Sequence, residues 1–377
     1  MSFYAKLRKA YKNHRLLSGL KRQLQEHNGS LFLHDTHFSR AVPKNPKLLI
    51  YDCVDLPLMH QRTSKLRRTK HRYIRAFIDY NSKRTANKAD IVTLSSPYYK
   101  EFLSHWLNKK VSTVLLRNFI KTPKEAITPS QEMAEILKNY HDVKNWLVIH
   151  NRIGQFLDID GVLKAINKLP VNWGLCFLGV MDGKNSKSVI KNKAAEFCSN
   201  HTVFCHDPIY GIEKLSALKC FDLGLVPLTL ESQNLKRCIP NRSLEFLCIG
   251  MPQLTSRTRA LKDLSLKYPD SILVPQKQGQ KYFEDALLKA CAQIEQGTKT
   301  SVTTEIPGWS EDFDIFFDLL DTQMAKRGLD KELIILSETN PQKNSRLLNI
   351  QNALKDEGYL ALVFEINLQT NKIIRHE

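Results

Sequence analysis

The chain carries the stretch PNRSLEFLCIGMP at residues 240–252, and this stretch decides the fold. Its capping residues predict a helix. Asn241 is the expected N-cap, Gly250 is the left-handed residue after the last turn, and Pro252 ends the helix. Asn241 and Glu245, four residues apart, share one face of this helix. Leu244, Leu247 and Cys248 fall on another, apolar face.

Apolar runs of strand type flank this helix and recur through the second half of the chain. Residues 221–228, FDLGLVPL, read as a buried parallel strand, and residues 253–256 read as the next one. Further strands are predicted at residues 146–150, 175–179 and 203–206, with a turn over residues 151–154. Strands that alternate with helices in this way predict an α/β fold with a parallel sheet covered on both faces.

The run CFDLGLVPL…IPNRSLEFLCIGMPQLTS, residues 220–228 and 239–256, resembles the donor-binding half of GT-B glycosyltransferases, above all those like family 4. The resemblance implies a GT-B fold, in which two Rossmann-like domains have parallel sheets that face each other across a cleft. It also implies that Glu245 binds the ribose hydroxyls of a nucleotide, since a carboxylate can accept hydrogen bonds from two vicinal hydroxyls. A glutamate on the solvated face of an amphipathic helix is the structural alternative.

The same resemblance implies a donor site with cations for the diphosphate. Arg152 matches the arginine of the family's "GRl…KG" segment, but Asp160 stands where that segment has its lysine. Arg237 likewise occupies the place of the paired glutamate that many family-4 enzymes carry. A guanidinium fork suits phosphate oxygens, which favours Arg152 and Arg242 as phosphate ligands beside Lys236. The expected donor-binding residues are Glu245, Asn241, Arg242, Arg152, Lys236, Gly154 and Gly179.

The first part of the chain resembles the acceptor domain of bacterial sugar transferases. The string LIYDCVDLP at residues 49–57 is similar to their "vYDcvDd" segment, and residues 89–97 and 111–118 match two later strands. Two predicted strands end near residues 35 and 52, and the carboxyl ends of strands line the ligand crevice of an α/β sheet. Polar residues at these ends include His34, Asp35, Asp52 and Asp55. We expect the catalytic base to be Asp55 or His34. The histidine of related "YDaHE" segments is replaced here by Val54.

The order of the predicted elements departs from that of an ordinary GT-B chain. Residue 1 begins where the third β unit of the family would start, and residues 333–341 resemble the missing first strand and turn. A helix over residues 345–358 and a strand over residues 359–366 follow, and Arg346 and Asn340 match acceptor-side positions. Either the fold is circularly permuted, or the chain is one piece of a longer enzyme whose tail starts another unit. The expected domains are residues 1–125, 126–326 and 327–377, the tail completing the first sheet in the permuted alternative.

The charge of the chain favours polyanionic partners. The 377 residues include 56 Lys+Arg and 38 Asp+Glu, which gives a net charge of +18. Basic residues concentrate at residues 1–24 and 60–75, so we expect contact with an anionic membrane surface or, for the first segment, a helix packed on its own domain. No apolar run has the length of a membrane span. The scattered cysteines indicate reduced thiols in a cytosol.

Three classes of function remain open on this basis. The first is a cytoplasmic glycosyltransferase, peripheral on the inner face of the membrane, that uses a UDP- or GDP-linked sugar and a lipid-linked or polysaccharide acceptor. The second is a catalytically degenerate GT-B protein that serves another transferase as a partner. The third is a nucleic-acid-binding protein, which only the charge favours. We expect no metal and no cofactor, because His150, His201 and His206 have no ligand-like spacing and no phosphate-binding glycine motif occurs.

Overall fold

The computed structural model of this protein forms two compact units. It describes residues 16–25, 29–34, 41–54, 80, 83–104, 107, 111–118, 126–181, 185–231, 233–297, 309–337, 345–367 and 372–376. Unit 1 combines Met1–Phe119 with Pro307–Glu377, and unit 2 is Ile120–Ile306. The expected residues Asp35, Asp55 and Asn340, residues 1–15 and the basic segment 60–75 lie outside the described part.

The strands of unit 1 are β1 (Ser30–Leu33), β2 (Leu48–Cys53), β3 (Ile91–Leu94), β4 (Ser112–Leu115), β11 (Glu332–Ser337), β12 (Leu360–Asn367) and β13 (Lys372–His376). Within the described residues they form a seven-stranded sheet in the order β13-β12-β11-β1-β2-β3-β4. All neighbouring strands are parallel except β12 and β13, which are antiparallel. Its helices are α1 (16–25), α2 (83–88), α3 (Tyr98–Ser104), α12 (Trp309–Ala325) and α13 (Ser345–Asp356).

The C-terminal tail supplies the middle of this sheet. Strand β11 pairs with β1 along Ser30↔Leu333 to Leu33↔Leu336, and with β12 on its other side. Helix α13 connects β11 to β12, and Gly358 takes the left-handed conformation, φ 79°, just after it. The described residues of the tail are therefore part of unit 1. This is the arrangement expected if the tail completes the first sheet.

The core of unit 1 joins the two distant parts of the chain. Phe316 and Leu320 of α12 are buried in one hydrophobic cluster with Phe32 of β1 and Ile335 of β11. Helix α12 therefore belongs to unit 1, although the sequence analysis places it at the end of the second domain. Each of these four side chains is fully buried, so the cluster stabilises the pairing of early and late strands.

The strands of unit 2 are β5 (Asn145–Ile153), β6 (Trp173–Met181), β7 (Val203–His206), β8 (Leu223–Val226), β9 (Gln253–Thr255) and β10 (Ile272–Leu273). In the part of unit 2 that the structure describes, they form a six-stranded parallel sheet in the order β10-β9-β8-β5-β6-β7. Its helices are α4 (Gln131–Lys138), α5 (Ile159–Ile166), α6 (Lys187–Phe197), α7 (Gly211–Leu218), α8 (Gln233–Arg237), α9 (Asn241–Cys248), α10 (Arg259–Lys267) and α11 (Gln280–Glu295). The order reverses between β8 and β5, and ligands of open α/β sheets bind at such a switch point.

Helix α9 is the helix that the opening stretch predicts, with one correction at its start. Pro240 is the N-cap residue and Asn241 is already the first helical residue, because the fixed φ of Pro240, −65°, lets it lead the chain into the helix. Gly250 has a φ of 67°, as expected of the residue that follows the last turn. Glu245 is 2% exposed, so α9 has no solvated face at this position.

The described part of the N-terminal basic segment has a buried apolar face. Leu17, Leu20 and Leu24 of α1 are each buried, at 6%, 5% and 6% exposure. The apolar face of α1 is therefore covered by protein, as the alternative to membrane contact predicts for this segment. Among the described helices, none combines the length and apolarity that crossing a membrane requires.

Candidate functional site

Glu245 is the centre of a buried polar cluster in unit 2. Its Oε2 accepts hydrogen bonds from His150 Nε2 at 2.5 Å and from Asn151 Nδ2 at 2.9 Å. Its Oε1 accepts a hydrogen bond from Lys214 Nζ at 2.7 Å. His150 and Asn151 belong to the carboxyl-terminal half of β5, and Lys214 belongs to α7. The carboxylate thus joins three elements at the topological switch point of the sheet.

The cluster keeps Glu245 ionised and His150 neutral. Burial raises the pKa of Glu245, but the hydrogen bond from His150 and the charge of Lys214 outweigh it and bring the pKa to about 2. Burial lowers the pKa of His150 to about 4, against the opposing effect of Glu245. At neutral pH Lys214 is therefore the cation that balances the carboxylate, and His150 donates its Nε2 hydrogen to it. Nδ1 of His150 has no hydrogen-bond partner among the described residues.

Arg242, one turn before Glu245, is also buried, at 5% exposure. One Nη2 hydrogen bond goes to the carbonyl oxygen of Arg152 at 3.0 Å, and the guanidinium lies 5.6 Å from the ring centroid of Phe156. Nη1 has no hydrogen-bond partner within the described part of the chain. Burial lowers the pKa of Arg242 to about 10, so the side chain stays a cation at neutral pH. A buried guanidinium nitrogen without an acceptor is costly, and an anion would satisfy it.

A close backbone approach holds Asn151 beneath Glu245. Asn151 has a φ of 67° and lies opposite Gly179 of β6, whose φ is 150°. A Cβ on Gly179 would lie 1.9 Å from the carbonyl oxygen of Asn151. Gly179 is therefore required by the backbone that places Asn151. From the sequence, Gly179 is expected to bind the donor. In the structure it contacts the backbone of Asn151.

A second buried polar cluster lies in unit 1 around Asp52. Its Oδ2 accepts hydrogen bonds from His34 Nδ1 at 2.7 Å and from Arg346 Nε at 3.0 Å. Its Oδ1 accepts hydrogen bonds from Thr93 Oγ1 and Arg346 Nη2, both at 2.5 Å. Arg346 Nη1 also donates to Asn118 Oδ1 at 2.6 Å. The cluster gathers residues from β2, β3 and α13 with residues just after β1 and β4.

The Asp52 cluster is charged and almost closed. The side chain of Asp52 is 0% exposed, that of Arg346 is 4% exposed and that of His34 is 7% exposed. Burial raises the pKa of Asp52, but the charge of Arg346 and the hydrogen bond from His34 lower it far below the ordinary value of 3.8. Asp52 is therefore a permanent anion that anchors a histidine and an arginine.

The sequence matches no protein-family profile and no curated protein. The fold, in contrast, is similar to many solved structures. The HepE protein of Anabaena in complex with UDP-glucose superimposes with a TM-score of 0.58 at 12% identity, over 81% of this chain and 82% of that chain. The catalytic domain of starch synthase IV from Arabidopsis thaliana, bound to ADP and acarbose, gives 0.58 at 12% identity over 83% and 78%. WaaG, a glycosyltransferase involved in lipopolysaccharide biosynthesis, gives 0.51 at 16% identity over 73% and 74%.

The chain has a GT-B fold. The two Rossmann-like units expected from the sequence are thereby confirmed. Sequence identities of 12–16% support the fold and no residue's role.

Four other donor residues expected in unit 2 range from exposed to buried. Arg152 and Lys236 are exposed, Asn241 is half-buried and Gly154 is buried. Asp160, which stands in the place of the family's lysine, forms an ion pair with Lys193 at 2.6 Å. The negative charge of Asp160 is therefore balanced, although no lysine occupies that position in the chain.

Three residues of the Glu245 cluster are absent from the donor site expected from sequence. His150, Asn151 and Lys214 carry no local motif, because they meet Glu245 only through strand pairing and helix packing. From the sequence, His150 is named only as a histidine without ligand-like spacing, whereas in the structure its Nε2 is hydrogen-bonded to Glu245. An available signal was the position of His150 and Asn151 at the end of a predicted strand.

A cavity of about 300 Å³ opens in unit 2 beyond the ends of β8, β9 and β10. Polar residues that line it include Asp158, Thr229, Ser256, Arg257, Lys277 and Gln280. Asp158 caps α5 by accepting a hydrogen bond from the backbone nitrogen of Gly161 at 3.0 Å. No group of His, Cys, Asp and Glu suited to a metal ion occurs within the described residues.

Proposed function

We propose that this chain is a glycosyltransferase that moves a sugar from a nucleotide-diphosphate sugar to a hydroxyl group of its acceptor. One observation carries the proposal. An ionised, buried glutamate sits at the switch point of a parallel sheet in a protein of GT-B fold. An acidic residue at such a place can accept hydrogen bonds from the ribose hydroxyls of a nucleotide.

Glu245 can serve ribose only by an exchange of partners. A carboxylate offers about four acceptor positions, and three are used by His150, Asn151 and Lys214. Two ribose hydroxyls need two positions, so one partner has to withdraw. Lys214 lies on α7 outside the sheet and its side chain is 15% exposed, and it is the partner that we propose moves.

The leaving nucleoside diphosphate needs positive charge around it as the glycosidic bond breaks. Arg152 and Lys236 are exposed cations, and Arg242 offers a buried nitrogen without an acceptor. We assign these three residues to the diphosphate, with the N-terminal turn of α9 beside them. Gly154 and Asn241 complete the proposed donor site. No metal ion and no cofactor are part of this proposal.

The substrate classes follow from the proposed site and from the relatives. The donor is a UDP- or GDP-linked sugar, in keeping with the UDP-glucose that HepE binds. The acceptor is a lipid-linked or polysaccharide hydroxyl, as in cell-envelope polysaccharide synthesis, and WaaG is a relative with a role of that kind. A net charge of +18 suits a cytoplasmic enzyme that is peripheral on an anionic membrane face.

A catalytically degenerate GT-B partner protein is the second candidate. The ion pair between Glu245 and Lys214 of the same chain favours this candidate, because a permanent ion pair would close the ribose site. Arg237 in place of the paired glutamate and Asp160 in place of the lysine point in the same direction. Such a protein would fold as described and transfer no sugar.

Sugar transfer distinguishes the two candidates. Wild-type protein and the Glu245→Gln variant are incubated with UDP- and GDP-sugars and a lipid-linked acceptor, and released nucleoside diphosphate is measured. The transferase predicts release that depends on the acceptor and falls about tenfold or more in the variant. Folded wild-type protein that binds a nucleotide but releases no diphosphate with any acceptor would favour the degenerate partner.

A further inference from the structure

The amino edge of the unit 1 sheet collects basic residues. Strands β1, β2 and β3 are parallel neighbours, so the segments that enter them meet at one edge of the sheet, opposite its carboxyl edge. These segments are residues 16–25, 41–47 and 83–88. They contain no aspartate or glutamate. Their basic residues, which together we call the basic edge, are Lys21, Arg22, Lys44, Lys47, Lys83, Arg84 and Lys88.

The described part of the chain does not neutralise the basic edge. No carboxylate among the described residues forms an ion pair with any of its members. Asp90, the next acidic residue along the chain, is paired with Arg327 at 2.8 Å and accepts a hydrogen bond from the backbone nitrogen of Leu49 at 3.0 Å. Its charge is therefore already balanced, and the basic edge keeps a positive field.

Four members of the basic edge, from three different segments, act on one another. Partial burial and the positive charges of Arg84, Lys21 and Lys44 lower the pKa of Lys88 below its ordinary value. Cations that repel each other are thus held together by the fold, and an anion bound between them would relieve this repulsion. The cluster is therefore a surface suited to a partner that presents several negative charges.

We propose that the basic edge is the surface by which this protein docks on an anionic lipid bilayer. The choice of partner rests on the proposed function, in which the enzyme works at a membrane face. A bilayer that contains anionic lipids presents a plane of phosphates, to which neighbouring basic residues are attracted. The central contacts are Lys21, Lys44, Arg84 and Lys88.

An exposed tyrosine favours a bilayer over a soluble polyanion. Tyr80 is 63% exposed and lies four residues before Arg84, which in turn lies four residues before Lys88. Residues 80 and 83–88 are helical, and a spacing of four places side chains on one face of a helix. Tyrosine is enriched in the headgroup region, where its ring is amphipathic enough to sit. Helix α1 adds only charge to the contact, because its leucines are buried in the protein.

Docking by the basic edge leaves the other end of the strands clear. Asp52 and Thr93 belong to the carboxyl-terminal halves of β2 and β3, whereas Lys44 and Lys88 precede the same strands. Ligands of α/β sheets bind at the carboxyl edge, so bound headgroups do not cover that edge. Changes at the basic edge are therefore expected to alter membrane binding and to leave nucleotide binding unchanged.

The test measures how tightly the full-length protein binds vesicles, by cosedimentation. The vesicles contain phosphatidylcholine alone or phosphatidylcholine with about one third phosphatidylglycerol. Each basic residue near an anionic surface strengthens binding about fivefold, so loss of four should weaken binding to the anionic vesicles by at least about 100-fold. Binding of wild type should also weaken as salt is added. The variant combines Lys21→Gln, Lys44→Gln, Arg84→Gln and Lys88→Gln.

A matched control removes the same charge from exposed helix positions of unit 2. It should bind the anionic vesicles within about threefold of wild type, because the contact depends on the local edge and little on total charge. Thermal unfolding checks that both variants fold. A Tyr80→Ser variant should bind the vesicles about threefold more weakly and a soluble polyphosphate as wild type does. The control combines Lys138→Gln, Lys191→Gln, Lys262→Gln and Lys281→Gln.

Four results would overturn the proposal. The first two are a folded basic-edge variant that binds the anionic vesicles as tightly as wild type, and a charge control that weakens as much as this variant. The others are wild type that binds both kinds of vesicle equally, and wild type that prefers duplex DNA to anionic vesicles at the same salt concentration.

Titration of UDP into the same preparations separates this proposal from the proposed function. Wild type that binds the vesicles through the basic edge but binds no nucleotide would refute the transferase and support the docking surface directly. Wild type that binds UDP but neither kind of vesicle would support the transferase and refute the docking surface.

Discussion

At the scale of single residues, the molecule is defined by two ionised carboxylates that are buried with partners already in place. Glu245 is held by a lysine, a histidine and an asparagine, and Asp52 by an arginine, a histidine and a threonine. Burying a charge is costly unless it is paired and hydrogen-bonded. These residues are therefore expected to matter both for stability and for chemistry, and the two effects separate in the variants below.

The ion pair of Lys214 with Glu245 predicts opposite effects on stability and on nucleotide binding. Lys214→Met leaves a buried carboxylate without its cation and should lower the free energy of unfolding by about 2–4 kcal/mol. The same change removes the competitor of ribose, so UDP should bind at least as tightly as to wild type. Chemical denaturation and calorimetric titration measure the two quantities. The matched control is Lys219→Met, at the exposed end of the same helix, with little effect on either. Weaker UDP binding in Lys214→Met would mean that Lys214 is a ligand and no competitor.

The buried His150 predicts a pH dependence of stability. Burial lowers its pKa from 6.5 to about 4, so between these values the unfolded chain binds a proton that the folded chain does not. The free energy of unfolding therefore falls as the pH is lowered through this window, by on the order of 3 kcal/mol from this group. His150→Gln keeps a donor to Glu245 and should flatten the slope of unfolding free energy between pH 6.5 and 4. An unchanged slope would contradict a neutral, buried His150.

At this scale the sequence predicts the carboxylate but not its surroundings. Glu245 stands in a local motif that fixes its helix, its turn and its position after a strand. Lys214 and His150 lie 31 and 95 residues from Glu245, so only the pairing of β5 and the packing of α7 bring them to it. Arg346 is found from a local motif as well, yet its bond to Asp52 spans 294 residues and follows from the sheet order.

At the scale of elements, part of the turn predicted from the sequence belongs to strand β5 in the structure, where it pairs with β6. The sequence places a turn at residues 151–154, where polar residues and a glycine follow an apolar run. In the structure β5 continues to Ile153. Asn151 has a left-handed backbone, and Gly179, which lies opposite, has no Cβ to block it, so the pairing of β5 with β6 continues. Strand β13 is not predicted at all, since its short run at 372–376 has no apolar face and depends on β12 for its hydrogen bonds.

The pairing of Gly179 with Asn151 predicts a large effect of a single methyl group. Gly179→Ala would force a Cβ to within 1.9 Å of a backbone oxygen, so β6 has to shift and Asn151 loses its place beside Glu245. We expect a loss of about 2–4 kcal/mol in unfolding free energy together with weaker nucleotide binding. Gly19→Ala in α1 is the control, because it has open space and an ordinary helical backbone, and it should stabilise by about 0.5–1 kcal/mol. Equal stabilities of the two variants would contradict the close approach.

At the scale of the whole molecule, the C-terminal tail is an integral part of unit 1. Strand β11 lies between β12 and β1, and its Leu333 and Ile335 are buried in the same core as Phe32. The sequence predicts the tail's strand, helix and strand, because each has a clear apolar pattern. It leaves open which sheet they join, since strand pairing at a separation of some 300 residues has no local signal.

Removal of the tail is therefore expected to unfold unit 1 and to leave unit 2 folded. A chain cut after Gly328 lacks β11, β12 and β13, so β1 loses its partner β11 and the core around Phe32 opens. Amide hydrogen exchange should show unprotected β1–β4, while the strands of unit 2 stay protected and UDP binding persists. Protection of β1–β4 in the cut chain would contradict the role of the tail in this sheet.

Calorimetric titration shows whether Glu245 forms the ribose site of a nucleotide-sugar enzyme. UDP, GDP and their sugars are titrated into wild type, Glu245→Gln and the exposed-surface control Glu196→Gln. The account predicts that one nucleotide binds to wild type and to the control, and that its affinity falls about tenfold or more in Glu245→Gln. Equal binding by folded Glu245→Gln, or no binding of any nucleotide by folded wild type, would contradict it.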